Sequence, residues 1–323
     1  MTPQVIKPYS QVTTRLIVSP PSHWRSGRTI KGMMQDHLIA LLPAVLMAMA
    51  SFGFEAFRVL ALAGATAVVV EALCLKLMNR DITVDNYSAL FTGIAFAFLL
   101  PPTAPWWLVV IGSSVAIILG RIVFGGLGAN PLCAPLVAWA VCRLSWPAPM
   151  DMDLNLLHTT LNYPLTQLKY FGTSALYQFD YSDLLLGNQI GGLGTSQVIA
   201  LLAGGVYLLV RKQVRWHIPA AFIGSVFVTA WIFHLSDPTL YAAPLFHVLA
   251  GGVVFGAFFL AADPACSPVG RVPMLLFGAI AGIMVVIIRV YGVYPDGVPF
   301  AILLANLLSP LLDRVRPKPF GAK

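Results

Sequence analysis

Mostly apolar stretches near the length of a membrane-crossing helix recur along the whole chain. That recurrence limits what it can fold into more than any other feature. A bilayer core about 30 Å thick takes roughly 20 residues of helix. The stretches run 34–53, 56–79, 87–100, 105–125 and 131–147, then 196–211, 217–234, 242–262, 272–291 and 297–313. A long polar stretch, 148–195, separates the two groups. The expected class is an all-α polytopic membrane protein of about ten transmembrane helices.

Composition excludes the competing classes. Hydrophobic residues make up 58% of the 323 and charged residues 10%, against about 45–50% and 25% in a soluble domain. Mean hydropathy is +0.80. So few charges cannot coat a soluble globule, and disorder needs the opposite balance. The net charge of +7 does not mark a nucleic-acid binder, because basic and aromatic residues are not interleaved on a surface. No catalytic triad, phosphate-binding loop or carboxylate pair marks an independent hydrolase or kinase.

The basic residues instead orient the spans. With the N-terminus in the cytoplasm, all 20 Lys and Arg except Arg58, Arg143, Lys169 and Arg289 fall on the cytoplasmic side. Both termini are then cytoplasmic, and the 148–195 stretch is external. Trp106, Trp107 and Trp146 lie at the outer interface and Trp216 at the inner one, as an aromatic belt requires. Residues 1–33 are polar and basic, with no apolar core before a cleavage site, and read as a cytoplasmic tail. The expected organisation is a tail (1–33), a first five-helix repeat (34–147), an external loop (148–195), a second five-helix repeat (196–313) and a tail (314–323).

Five crossings per half is an odd number, so the second half enters from the opposite face and internal similarity must be inverted. The fourth span ends at Arg121, and ten residues later Pro131 opens the fifth; Arg289 and Pro299 repeat that interval in the second half. Both intervals are rich in Gly and turn residues. The third and eighth spans begin with Leu90-Phe91 and Leu245-Phe246, and end at Pro101-Pro102 and Asp263-Pro264. About fourteen residues before the prolines give the third span roughly 21 Å, too short to cross alone. Short or interrupted segments at matching places point to a site near the midplane.

Ionisable and polar groups in such spans are candidates for function. Glu71, His247 and Asn306 lie within spans, and Arg121 and Arg289 at span ends. Asp85, Asp263 and Asp296 flank the short or broken segments; carboxylates there either hold Na⁺ or H⁺ or cap a helix N-terminus. The external stretch joins Tyr170-Phe171-Gly172-Thr173-Ser174-Ala175-Leu176 to a glycine run, Gly191-Gly192-Leu193-Gly194. Aromatic residues beside hydroxyls suit a planar ligand carrying a phosphate, and a glycine run entering a helix either offers N–H groups to an anion or serves packing. The cysteines Cys74, Cys133, Cys142 and Cys266 form no C-x-x-C pair and have no His at ligand spacing. No metal site within this chain alone is expected, and the four read as small apolar residues.

Ordered motifs along nearly the whole chain resemble one family. They are Val18-Ser19-Pro20, Met34-Gln35-Asp36, Leu41-Leu42-Pro43-Ala44, Asp85-Asn86-Tyr87-Ser88-Ala89-Leu90-Phe91-Thr92-Gly93 and Leu99-Leu100-Pro101-Pro102. Further on come Gly125-Gly126-Leu127-Gly128-Ala129-Asn130-Pro131, Leu186-Gly187-Asn188, Ala262-Asp263-Pro264-Ala265-Cys266-Ser267-Pro268 and Tyr294-Pro295-Asp296-Gly297. The chain resembles the NqrB/RnfD family of ion-translocating oxidoreductase membrane subunits. The likeness is nearer to RnfD of the Rnf complex and more distant to NqrB of the Na⁺-translocating NADH:quinone oxidoreductase. The short tail favours the Rnf branch.

That resemblance implies a urea-transporter-like fold of ten helices in a 5+5 inverted repeat, in the bacterial inner membrane. It implies a subunit, inactive alone, of a translocating ferredoxin:NAD⁺ oxidoreductase that couples electron transfer to Na⁺ or H⁺ movement. Flavin and iron–sulfur subunits are the implied partners. FMN bonded through its phosphate is the implied cofactor, with riboflavin a further one. The family attaches FMN in an Asp-x-x-Ser-Gly-Ala-Thr segment. Here Leu168 stands at the Asp position, Phe171 at the Ser, Thr173 at the Ala and Ser174 at the acceptor Thr. Ser174 and Thr173 are therefore the candidate acceptors. Two other readings suit the same pattern: a channel or secondary transporter, which would be colourless and active alone, and a membrane anchor without flavin.

Overall fold

The computed structural model describes residues 29–152, 163–187, 189 and 191–315. Most of both tails and Asn188 lie outside these residues. Every regular element among them is helical: α1 (Ile30–Leu77), α2 (Ser88–Phe98), α3 (Trp106–Ile117), α4 (Ala134–Ser145), α5 (Pro164–Phe171), α6 (Tyr181–Leu186), α7 (Val198–Val210), α8 (His217–Ser236), α9 (Pro244–Leu249), α10 (Val253–Phe255), α11 (Arg271–Tyr291) and α12 (Val298–Leu312). One π turn (Ile118–Ile122) extends α3 and another (Gly256–Leu260) extends α10. Helices α1, α8 and α11 are long and apolar enough to cross a membrane, and α2, α3 with its π turn, α4, α7 and α12 are shorter apolar helices.

Apart from α5 and α6, which fall in the polar stretch 148–195, the helices form largely within the stretches that hydropathy marks. Thr29 caps α1 by accepting the Gly32 N–H at 3.1 Å. At Gly53 the backbone turns to φ 60° and ψ −136°, which glycine adopts without a Cβ clash, and α1 is split between the first two stretches. The pieces of α1 bury small residues, Ala40, Ala44 and Ala48, then Ala56, Ala63 and Ala67, while Leu42, Leu46, Phe54, Phe57 and Leu73 stay exposed. This is the pattern of a helix with a close-packed inner face and an apolar outer one.

Helix α2 stops short, as its prolines require. The carbonyls left open at its end accept from the glycine run: Leu193 N–H bonds Leu100 C=O at 2.8 Å and Gly194 N–H bonds Phe98 C=O at 3.3 Å. A Cβ at Gly194 would sit 2.2 Å from the Phe98 ring, so the run serves backbone packing. The eighth stretch, expected as one piece, breaks after α9 at Ala250–Gly251–Gly252, with Gly251 at φ 73°.

Candidate functional site

Three of the four basic residues expected on the external face meet in the fold. Arg143, Lys169 and Arg289 all converge on the 292–297 turn between α11 and α12. The Arg143 guanidinium lies 5.4 Å from the Tyr294 ring centroid. Lys169, on α5, donates to the Gly292 and Tyr294 carbonyls, and burial lowers its pKa. Arg289, its side chain 2% exposed, pairs with Asp296 at 3.0 Å and donates to the carbonyls of His247 and Ala250 at the break after α9. Asp296 also accepts from Gly252 N–H at 2.9 Å and Val298 N–H at 3.3 Å. One carboxylate thus caps α12, neutralises Arg289 and satisfies the broken eighth segment. Arg58, the remaining one of those four, pairs with Glu55 and donates to the Ala104 carbonyl.

Beside this node runs a groove of about 280 Å³, near the lower limit for small-molecule sites. Lys169, Gly172, Tyr241, His247, Arg289 and Tyr291 are among its walls. Among the described residues, two buried polar atoms on the groove's residues, His247 Nδ1 and Arg289 Nε, lack a partner, and such atoms are costly unless something polar meets them. Gly172, at φ 74°, turns the chain from α5 into the 3₁₀ turn Thr173–Gln178. There the Ser174 side chain is exposed, with only a local bond to the Phe171 carbonyl at 3.2 Å. The Thr173 hydroxyl is bound to the Thr239 carbonyl on the α8–α9 connection. On that connection the Thr239 hydroxyl and N–H bond Asp237 and hold its carboxyl below the ordinary value. Leu168 packs against the core.

A second node occupies the other half. Arg121, in the π turn after α3, donates to the Ser88 hydroxyl at 2.8 Å and lies 3.6 Å from Glu71. Asp85 is exposed on the turn before α2; the cap there is Asn86, which accepts from the Ser88 N–H at 2.9 Å. Asp263 accepts from the Ala265 N–H at 3.1 Å. It also stands with Cys133 and Cys266, the ligand atoms all within 4.8 Å of one another. Asn306 is buried on α12, with no partner for either amide atom among the described residues.

The site joins residues that spacing could not. The resemblance singled out the Thr173-Ser174 pair as candidate acceptors. Tyr241 and Tyr291 carry no signal of their own. Lys169 does carry one: it is among the four cations expected apart from the cytoplasmic majority.

The model of the NQR2, RnfD, RnfE family matches residues 17–321. Among curated proteins, the chain is 34% identical to the D subunit of the ion-translocating oxidoreductase complex of Salmonella paratyphi A, over 95% of this chain and 98% of that protein. The protein of the same description from Salmonella typhimurium is 34% identical over the same shares, and that from Escherichia coli O7:K1 is 33% identical over 95% and 98%.

Proposed function

This chain belongs to the NQR2, RnfD, RnfE family, and from that membership we propose that it is a flavin-carrying membrane subunit of an Rnf-type ion-translocating oxidoreductase. Its partners are flavin and iron–sulfur subunits that pass electrons between ferredoxin and NAD⁺. The observation that carries the flavin reading is the groove beside the acceptor segment. It offers Tyr241 and Tyr291, the unpartnered His247 Nδ1 and Arg289 Nε, and, two residues from its Gly172 wall, the exposed Ser174 hydroxyl.

FMN, when bound, supplies the one- and two-electron chemistry; this chain supplies position and charge. Ser174 is the favoured acceptor for the phosphate ester because its hydroxyl is exposed, whereas Thr173 is engaged with Thr239. Lys169 places positive charge on the groove wall and favours an anionic ligand there, Arg289 being already paired with Asp296. Riboflavin is taken as a second, non-covalent cofactor. Coupling to Na⁺ or H⁺ requires that a cofactor state favour one of two conformations. We assign that role to the broken segment, which Arg289 and Asp296 hold. Asp263 and Asp85 remain candidates for contact with the moving ion.

We take the membrane domain as a 5+5 inverted repeat with both termini in the cytoplasm, in a urea-transporter-like arrangement. The two arginine nodes support this, since Arg121 follows α3 and bonds the start of α2, whereas Arg289 ends α11 and bonds the break after α9.

The test is in-gel flavin fluorescence of this protein after denaturing electrophoresis. A fluorescent wild-type band that disappears in Ser174→Ala, and persists in Thr173→Ala, is the expected result. A dark wild-type band from a complex that still transfers electrons would overturn covalent attachment.

A further inference from the structure

Two of the four cysteines, from opposite halves of the chain, meet in the fold. Cys133 is the N-cap of α4. Asp263 and Cys266 lie in the turn that follows the π turn after α10. Cys133 and Cys266 are 1% and 4% exposed, and the two sulfurs and an Asp263 oxygen lie within 4.8 Å of one another. Cys133 and Asp263 line a cavity of about 30 Å³ that Arg121 and Asn130 also line. That volume admits an ion or a water but no planar cofactor.

From this geometry we propose that Cys133, Asp263 and Cys266 bind a single thiophilic divalent cation of the Zn²⁺ type. This inference does not rest on the redox reading. The ligand chemistry is two sulfurs and one oxygen, a set that selects zinc over the hard cations that prefer all-oxygen cages. Asp263-x-x-Cys266 has the short spacing by which one turn supplies two ligands, and Cys133 comes from a separate element, which makes three protein ligands and one open position. A tetrahedral ion about 2.3 Å from each sulfur needs ligand atoms roughly 3.7 Å apart, a small contraction within the observed limit.

The turn is already shaped for it. Asp263 accepts from Ala265 N–H through Oδ1, and its carbonyl accepts from the Cys266 and Ser267 N–H groups, which fixes both ligands on one loop. Binding releases the two thiol protons to solvent and transfers no electrons. Two thiolates, one carboxylate and a divalent cation sum to one negative charge, next to Arg121 in the same cavity wall. The fourth position is left for water from the cavity. Because the ligands come from both halves, the ion joins the start of α4 to the end of the eighth segment.

The full chain is purified in detergent without chelator and its zinc is measured by mass spectrometry, beside Cys133→Ser, Cys266→Ser and, as a control away from the cluster, Cys74→Ala. About one zinc per chain in wild type and in Cys74→Ala, falling at least tenfold in the other two, is the expected result. Exchange of wild type with Co²⁺ reads the ligands without any substitution, and a sulfur-to-cobalt charge-transfer band is expected. Zinc that is retained in both cysteine variants would overturn the proposal. So would wild type that takes up neither metal, or a disulfide joining Cys133 to Cys266 in the mapped peptides.

Discussion

Two buried guanidinium groups organise this molecule at the scale of single residues, and they are not equally well paired. Asp296 meets Arg289 at 3.0 Å and accepts two backbone N–H bonds besides. Glu71 stands 3.6 Å from Arg121, and its second oxygen has no partner. Removing one member of a tight buried pair strands the other charge and costs about 3–5 kcal/mol. Asp296→Asn is therefore expected to cost about that much and to lower the thermal midpoint of the detergent-purified protein strongly. Glu71→Gln keeps the shape and gives up only a loose pair, so about 1 kcal/mol is expected. Equal losses in the two variants would show that the distances do not rank the pairs. Arg289 and Asp296 were both visible in the sequence as polar groups near breaks. Their pairing was not, because no local pattern says that a carboxylate in one turn will face the broken backbone of another segment.

At the scale of elements, helices approach through glycines. A Cβ at Gly204 of α7 would lie 2.1 Å from the Ala40 carbonyl of α1, and one at Gly93 of α2 would lie 2.6 Å from the Ala63 carbonyl of α1. These contacts are backbone against backbone, so the added methyl has no flexible neighbour to displace. Gly204→Ala and Gly93→Ala should each cost about 1–3 kcal/mol by overpacking. Gly224 of α8 has nothing within 4 Å of its would-be Cβ, and Gly224→Ala should be neutral or stabilising by up to about 1 kcal/mol. Thermal unfolding of the three variants side by side checks this, and a loss in Gly224→Ala equal to the others would refute the seam. The short third segment was legible because Pro101 and Pro102 stop it locally. The break at Ala250–Gly252 was not, since its N–H and C=O groups are satisfied by Asp296 and Arg289, far along the chain.

Across the whole molecule, the cation asymmetry and its exceptions belong together. Arg143, Lys169 and Arg289 are three of the four cations expected apart from the cytoplasmic majority, and all three are bound to the 292–297 turn or its carboxylate. The proposed topology puts exposed Tyr181 and Arg215 on opposite faces of the membrane. Tyr181→Cys is expected to react with an impermeant maleimide on intact cells, and Arg215→Cys only after permeabilisation. The reverse pattern would invert the topology.

Local pattern along the chain was enough for the helical class, the places of the apolar segments, the short third span and the family. These follow from hydropathy, prolines and ordered motifs, all of which act over a few residues or one helix length. It took the packed fold to show that the glycine run closes the end of α2, that Asp296 ties a turn to a broken segment, and that Cys133 meets Cys266 beside Asp263. Such meetings depend on which helix faces pack together, and packing is settled by small residues and buried polar bonds across the whole chain. Side chains that are ordinary along the sequence become partners only when the two halves are brought together.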